Sequence, residues 1–203
     1  MTTRPAEAFW QRAHGKEWIA NYATSSFSAS RAAMGAALRS VAPFGTVLDL
    51  GCNCGVLVPW LQVASPGARI TGVDVNDEAL RDAEIGWPVH TWVSQSVVDY
   101  VPQAADYGFQ WDVVTSSSCL EHVAPQDITQ VLAAMAQVAR DAIVLQEVTV
   151  APRMPLEGQS PLSIPEWRYD YATRLRPLGW KCTSWVEQGE PTRPGAVMTF
   201  ART

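Results

Sequence analysis

The sequence predicts a three-layer α/β sandwich built on a seven-strand, mostly parallel sheet. From residue 44 onward, short apolar runs alternate with helix-like amphipathic stretches, the order that places parallel strands between two layers of helices. Between residues 47 and 61 an apolar run passes through a tight glycine turn directly into a second apolar run, which reads as strand, loop and helix. The chain closes on two strand-like segments joined by Gly-Glu-Pro-Thr-Arg-Pro-Gly, a hairpin-type connection. At 203 residues and 47% hydrophobic content there is material for one substantial core. Residues 1–203 are therefore expected to form one domain, with 1–43 a helical extension that acts as a lid and 44–203 the core.

Charge and cysteine usage narrow the function classes. The formal net charge is −5, the pI is near 5.2, and the 15 lysines and arginines are scattered, a balance that disfavours a nucleic-acid surface. The first ten residues lack the apolar centre of a leader, and no run of about eighteen apolar residues occurs, so a cytoplasmic protein without a membrane partner is expected. Cys52, Cys54, Cys119 and Cys182 form no C-x-x-C pair and read as small core thiols rather than a zinc site or a disulfide.

In chain order, residues 5–22 carry Phe9, Trp10, Ala13, Trp18, Ile19 and Tyr22 at helical spacing, with Pro5 suited to a first turn and a break near Gly15. An alanine-rich second helix is predicted over 28–42, ending before Pro43. The first strand, Val47 to Leu50, holds Asp49, and the turn after it contains Gly51 and Gly55. Glycine there lets a backbone approach a bound molecule without an intervening Cβ, and the N–H groups of the following helix favour a carboxylate or phosphate. A dinucleotide fingerprint would need glycine at 51, 53 and 56, but Asn53 and Val56 occupy the last two positions.

Residues 69–75 read as the second strand, ending at Asp74 and Val75, with a helix starting at Asn76 or Asp77. An acid at that tip is placed to accept both hydroxyls of a ribose. The alternative is an N-cap for the helix. A third strand covers 89–94, and Asp99 falls at the next helix start. The fourth strand begins at Trp111, a helix follows over 126–140, and 142–148 makes the fifth strand with Glu147 at its tip. Glu147 then faces the same end as Asp49, Asp74 and Ser116, the end at which open α/β sheets bind ligands. The proline-rich stretch 151–165 reads as a functional lid loop. Residues 166–176, with Trp167, Tyr169 and Tyr171, read as a helix, and 180–188 and 196–202 are the last strands.

Two of these segments carry a family resemblance. Asp49-x-Gly51-x-x-x-Gly55 resembles motif I of the class I S-adenosylmethionine-dependent methyltransferases, with Asn53 where that family usually has a third glycine. Asn best tolerates the left-handed backbone that glycine would supply. Ser116 to Val123, with Leu120-Glu121-His122-Val123, is similar to the family's fourth strand and the loop beyond it. Phe9-Trp10 and Gly15-Lys16-Glu17-Trp18-Ile19, ahead of Leu50-Gly51-Cys52-Asn53, also resemble small sugar-modifying methylases.

The resemblance covers residues 44 to 203 and implies a Rossmann-like sheet of order 3-2-1-4-5-7-6, with S-adenosylmethionine as cofactor. On it, Asp49 lies near the cofactor's ammonium, and Gly51, Asn53 and Gly55 shape the loop around its carboxylate. Asp74 and Val75 hold the ribose, and Ser96 or Gln95 stands where an acid commonly binds the adenine amino group. The methionine end rests by Ser116, and Glu121 and His122 fall near the methyl group. His122 would act as base, since an imidazole suits proton removal near neutral pH, or else hold the loop by hydrogen bonds. Glu121 and Glu147 would orient it or bind the acceptor. Phe9, Trp10, His14, Trp18 and Tyr22 from the extension, and Trp167, Tyr169 and Tyr171 from the other side, would close over the acceptor, or else pack the core. Some relatives hold a divalent metal through Glu-x-x-Glu-His, but Ser118 replaces the first Glu, so no metal is expected.

The expected function is methyl transfer to an oxygen or nitrogen of a small molecule of sugar or secondary-metabolite type. A non-catalytic nucleoside-binding or regulatory protein on the same fold and an RNA methyltransferase are the alternatives, the latter disfavoured by the acidic balance.

Overall fold

The computed structural model describes residues 4–12, 29–149, 158–159, 166–190 and 193–203. Seven strands form one sheet: β1 (Thr46–Leu50), β2 (Arg69–Asp74), β3 (Thr91–Ser94), β4 (Trp111–Ser117), β5 (Ala139–Val148), β6 (Trp180–Glu190) and β7 (Arg193–Arg202). Their order across the sheet is β3-β2-β1-β4-β5-β7-β6, the expected one. β1 to β5 run parallel, and β7 pairs antiparallel with both β5 and β6. The helices are α1 (Pro5–Arg12), α2 (Ala29–Ser40), α3 (Val58–Ala64), α4 (Asp77–Gly86), α5 (Val97–Asp106), α6 (Pro125–Val138) and α7 (Tyr171–Leu175).

Alternation along the strands divides the core between the two faces. Leu48, Leu50, Val114, Ile143 and Leu145 point to the face covered by α5, α6 and α7, where Val101, Ile128, Leu132 and Leu175 are buried. Val47, Ile70, Val113 and Val144 point to the other face, against Met34 and Leu38 of α2 and Leu61 of α3. α2 can lie close to α3 because it carries Gly35, where a Cβ would stand 2.2 Å from the Trp60 ring.

Several boundaries depart from the sequence reading. The first helix is described only over Pro5–Arg12, and the second covers Ala29–Ser40. His14, Trp18 and Tyr22, and most of the proline-rich stretch, lie outside the described residues. Within that stretch, Gly158–Gln159 pairs with Trp167–Arg168 as a small antiparallel ribbon, and Tyr169 bridges to Thr149. The helix expected over 166–176 is therefore only α7, which begins after Asp170 caps it by accepting from the Thr173 N–H at 2.9 Å. Trp167, Tyr169 and Tyr171 alternate with polar residues at period two, which is a strand signal, and sheet pairing prevailed. Among the described residues, no helix is long and apolar enough to cross a membrane.

Leu48 sits in the middle of β1 with no exposed surface. Leu48→Ala is expected to lower unfolding free energy by about 2–5 kcal/mol, measured by urea denaturation, because rigid neighbours on both sides limit collapse into the cavity.

Candidate active site

The carboxyl ends of β1 to β4 open onto one cavity of about 1130 Å³, counting its open mouth. The register places the polar groups on its floor. Asp49 on β1 pairs with Thr115 on β4, and the Thr115 hydroxyl donates to Asp49 Oδ1 at 2.9 Å. Asp49 is 1% exposed yet lines the cavity, and its other oxygen, Oδ2, is buried without a hydrogen-bond partner. Burial pushes its carboxyl up to about 7, with Asp74 adding to the rise and the Thr115 hydrogen bond and the nearby Arg31 opposing it.

The loop after β1 is folded against β2. Gly51 and Cys52 both donate backbone N–H bonds to the Val73 carbonyl, at 2.8 and 3.2 Å. Gly51 has φ +72°, and a Cβ there would lie 2.4 Å from Cys119 Cβ, so a side chain at 51 is excluded by both backbone and neighbour. Asn53 adopts φ +50°, the left-handed conformation for which Asn was the expected substitute. Gly55 has φ +79° and does not line the cavity; a Cβ there would meet the Trp87 ring at 2.9 Å, so it serves the turn and its packing.

Asp74 lines the cavity next to Val75. Its Oδ2 accepts from the Asn53 N–H at 2.9 Å and its Oδ1 from the Asn76 N–H at 3.0 Å. The helix-capping alternative falls to Asn76 instead, whose Oδ1 accepts from the N–H groups of Glu78 and Ala79. Ser96 lines the cavity and caps α5 by accepting from the Val98 N–H at 3.1 Å, whereas half-buried Gln95 turns toward Gln103.

On the β4 side, the residues expected at the methyl end separate into a wall and its support. His122 lines the cavity, with its ring centroid 5.0 Å from that of Trp10, and its Nε2 lies 3.7 Å from Glu121 Oε1. Glu121 and Glu147 are 0% and 2% exposed and stand behind the wall, out of reach of an acceptor. Glu147 ties the turn together, accepting from the Ser116 hydroxyl at 2.6 Å and from the N–H groups of Cys119 and Glu121 at 3.2 Å each. Glu121 in turn accepts from the Val148 N–H at 2.8 Å. Burial raises the Glu147 carboxyl, and Glu121 beside it raises it further.

Ser116 itself is fully buried by its bond to Glu147, so the cavity meets Ser117 and Ser118 instead. Trp167 lines the cavity, but Tyr169 and Tyr171 are core residues. The Tyr169 hydroxyl donates to the Val123 carbonyl at 2.6 Å, and its ring packs edge-on against Tyr171.

Two groups, Arg31 and Glu7, are not singled out from sequence. Arg31, 7% exposed on α2, lines the cavity and donates to the Ser117 hydroxyl at 2.8 Å. Glu7, from α1, forms part of its roof beside Trp10, one of the aromatics of the extension expected as a wall. The cavity partners of Arg31 and Glu7 lie far away in sequence, as with Arg31 and Ser117, so no local pattern marks these two. Cys52 and Cys119 also line the cavity as free thiols, both pushed up by burial, which keeps them protonated.

Residues 48–142 match a family model described as a methyltransferase domain. Over 101 residues the chain is 38% identical to a ubiquinone biosynthesis O-methyltransferase of Escherichia coli O127:H6, a match covering 47% of this chain and 40% of the relative, so the chain spans well under two thirds of that protein. The fold is shared along its full length with magnesium protoporphyrin IX methyltransferase from Synechocystis PCC 6803 with bound SAM (TM-score 0.71, 13% identity, 100% of both chains). It is also shared with 1,6-didemethyltoxoflavin-N1-methyltransferase from Burkholderia thailandensis, with its acceptor and S-adenosylhomocysteine bound (TM-score 0.70, 18% identity, 100% of this chain and 92% of that one). The matched segment is thus similar to a methyltransferase domain, and the fold is that of methyltransferases crystallised with S-adenosylmethionine or S-adenosylhomocysteine.

The raised Asp49 pKa gives stability a pH dependence of known sign. The folded value near 7 lies above the usual carboxylate range, so between about pH 4 and 7 the folded state keeps a proton that the unfolded chain has released. Asp49 therefore makes the ligand-free protein less stable as pH rises through that window, by up to about 4 kcal/mol. Asp49→Asn should remove this component: the variant's stability relative to the wild type, from urea unfolding, is expected to rise between about pH 5 and pH 8.

Proposed function

We propose that the chain transfers a methyl group from S-adenosylmethionine to an oxygen or nitrogen of a small-molecule acceptor. One observation carries the proposal: Asp49 Oδ2 is a buried carboxylate oxygen without a partner, at a cavity that also receives the Arg31 guanidinium. A buried acid is tolerated when a cation reaches it. The amino-acid end of the cofactor brings an ammonium for Asp49 and a carboxylate for Arg31. Asp74 lines the same cavity at the tip of β2, where a carboxylate suits neighbouring ribose hydroxyls. Gly51 and Asn53 keep side chains out of the space between.

When bound, the cofactor supplies a methyl group on a sulfonium, which is a good leaving group. The protein's work is then to position the acceptor and, for a hydroxyl, to remove its proton. His122 stands on the cavity wall for this, packed against Trp10 and close to Glu121, which orients it. Trp10 and Trp167 give flat apolar surfaces on which a small ring can rest. The named activities of the ubiquinone O-methyltransferase, the didemethyltoxoflavin N1-methyltransferase and a mitomycin 7-O-methyltransferase support a small-molecule acceptor. A cytoplasmic setting goes with this reading.

Calorimetry with S-adenosylhomocysteine tests the Asp49 assignment. An ammonium favours the ionised carboxylate, so binding must expel the proton held below about pH 7, and affinity should rise with pH from about 6 to 7.5. Asp49→Asn should lose at least about tenfold in affinity, a difference of about 1.4 kcal/mol, and lose the pH dependence as well. No binding by the wild type would defeat the methyltransferase reading. Transfer of labelled methyl to a panel of phenols, amines and sugars then distinguishes an enzyme from a binding protein that has lost catalysis. In that assay His122→Ala is expected to cut turnover by about 10²-fold or more for a hydroxyl acceptor while leaving cofactor affinity nearly unchanged. Unaltered turnover would remove the base role.

A further inference from the structure

The β3 end of the cavity lacks an acid of its own. The strand is followed by Ser96, whose hydroxyl proton is committed to a carboxylate of α1, and by Gln95, whose side chain turns away. That carboxylate is Glu7. Its Oε1 accepts from Ser96 Oγ and from Arg4 Nη1, the latter at 3.2 Å, while its Oε2 has no partner among the described residues. Glu7 lines the cavity with Ser96, Val97 and Val98, three β-strand positions from the Ser117 and Cys119 side. Adjacent strands lie about 4.8 Å apart, so the two sides are separated by roughly 14 Å, enough for an extended nucleoside with an amino-acid tail.

Arg4 fixes the position of Glu7. It makes a two-point contact with Asp99 on α5, Nη1 to Oδ2 and Nη2 to Oδ1 at 3.1 Å each, and its Nε lies 3.4 Å from Asp127 Oδ2 on α6. These three acids around one guanidinium hold its pKa above the usual arginine range, with the Asp99 hydrogen bond the largest cause. They also clamp α1 across the cavity, where Ala6, Glu7 and Trp10 become part of its lining.

Building on the methyltransferase reading, we propose that Glu7 is the residue that selects the cofactor's base: the carboxylate on the N-terminal helix accepts a hydrogen bond from the exocyclic amine of the purine. A carboxylate is acceptor-only and strong, which suits an amine and not a carbonyl in that position. Base recognition then depends on a helix outside the sheet, held in place by Arg4.

The test compares S-adenosylhomocysteine with its analogue carrying hydrogen in place of the 6-amino group, by calorimetry on the full chain. Wild type is expected to lose about tenfold or more in affinity when the amine is removed, because a buried acceptor is left unpaired. In Glu7→Ala the amine should matter less than about threefold, and in Glu7→Gln, whose amide oxygen can still accept, the dependence should be partly restored. Arg4→Ala, which frees α1 without touching the base, should also reduce the dependence on the amine. Thermal unfolding of each variant near the wild-type midpoint separates these effects from loss of the fold. An amine dependence equal in wild type and Glu7→Ala overturns the Glu7 assignment while leaving the cofactor reading intact. Failure of wild type to bind either compound overturns both.

Discussion

The loops at the carboxyl edge of the sheet are held in shape by acids that accept their backbone N–H groups. Asp74 at the tip of β2 takes the N–H of Asn53, in the loop after the neighbouring strand, as well as that of Asn76. Glu147 near the tip of β5 takes the N–H groups of Cys119 and Glu121 in the turn after β4, and Glu121 returns the arrangement by taking the Val148 N–H. Loop N–H groups that no ladder can satisfy would otherwise be stranded at a buried edge, at a cost comparable to a lost hydrogen bond each. The acids therefore stabilise the loops and fix where the cavity walls stand.

Against that pattern Asp49 is the exception. It sits on the same edge, between Asp74 and Glu147, but accepts only the Thr115 hydroxyl and no backbone N–H group. The turn above it has been bent away: Gly51 and Cys52 donate to the Val73 carbonyl, and the positive φ values of Gly51, Asn53 and Ser118 carry the chain around the opening. Asp49 is thus kept buried and incompletely satisfied by the same loop geometry that makes room for a ligand. A carboxyl pushed up to about 7 is the electrostatic expression of that arrangement.

Local periodicity accounts for what could be read from sequence. All seven sheet strands, the glycine turn, the tolerance of Asn53 for a left-handed conformation, and the gathering of Asp49, Asp74 and His122 at one edge follow from patterns within a few residues of each other. The failures come from long-range partners. Trp167 to Tyr171 departs from the expected helix because its ribbon partner, Gly158–Gln159, lies within the proline-rich stretch, where no local pattern announces a strand. Ser116 is expected at the ligand, and Glu147 is expected to orient His122 or bind the acceptor, because each lies near a strand tip; adjacent strands instead bring the two together, and the Ser116 hydroxyl donates to Glu147. Arg31 and Glu7 lie on N-terminal helices whose sequences show no ligand pattern, and only the packing of those helices over the sheet brings them to the cavity.

The division between floor and roof also matches how far the kinship with known proteins extends. The family match over 48–142 contains Asp49, Gly51, Asn53, Asp74, Ser96 and His122, the floor and one wall of the cavity. Glu7, Trp10, Arg31 and Trp167, which supply the roof and the remaining walls, all lie outside it. A floor made by strand tips is constrained by sheet register: moving Asp49 or Asp74 by one residue turns its side chain to the opposite face. A roof made by helices laid across the edge carries no such constraint, because its residues need only a docking surface, which Asp99 and Asp127 supply to Arg4. The acids at the cavity floor are thus held by the part of the molecule that register fixes, and its roof is built from elements that can change without disturbing the sheet.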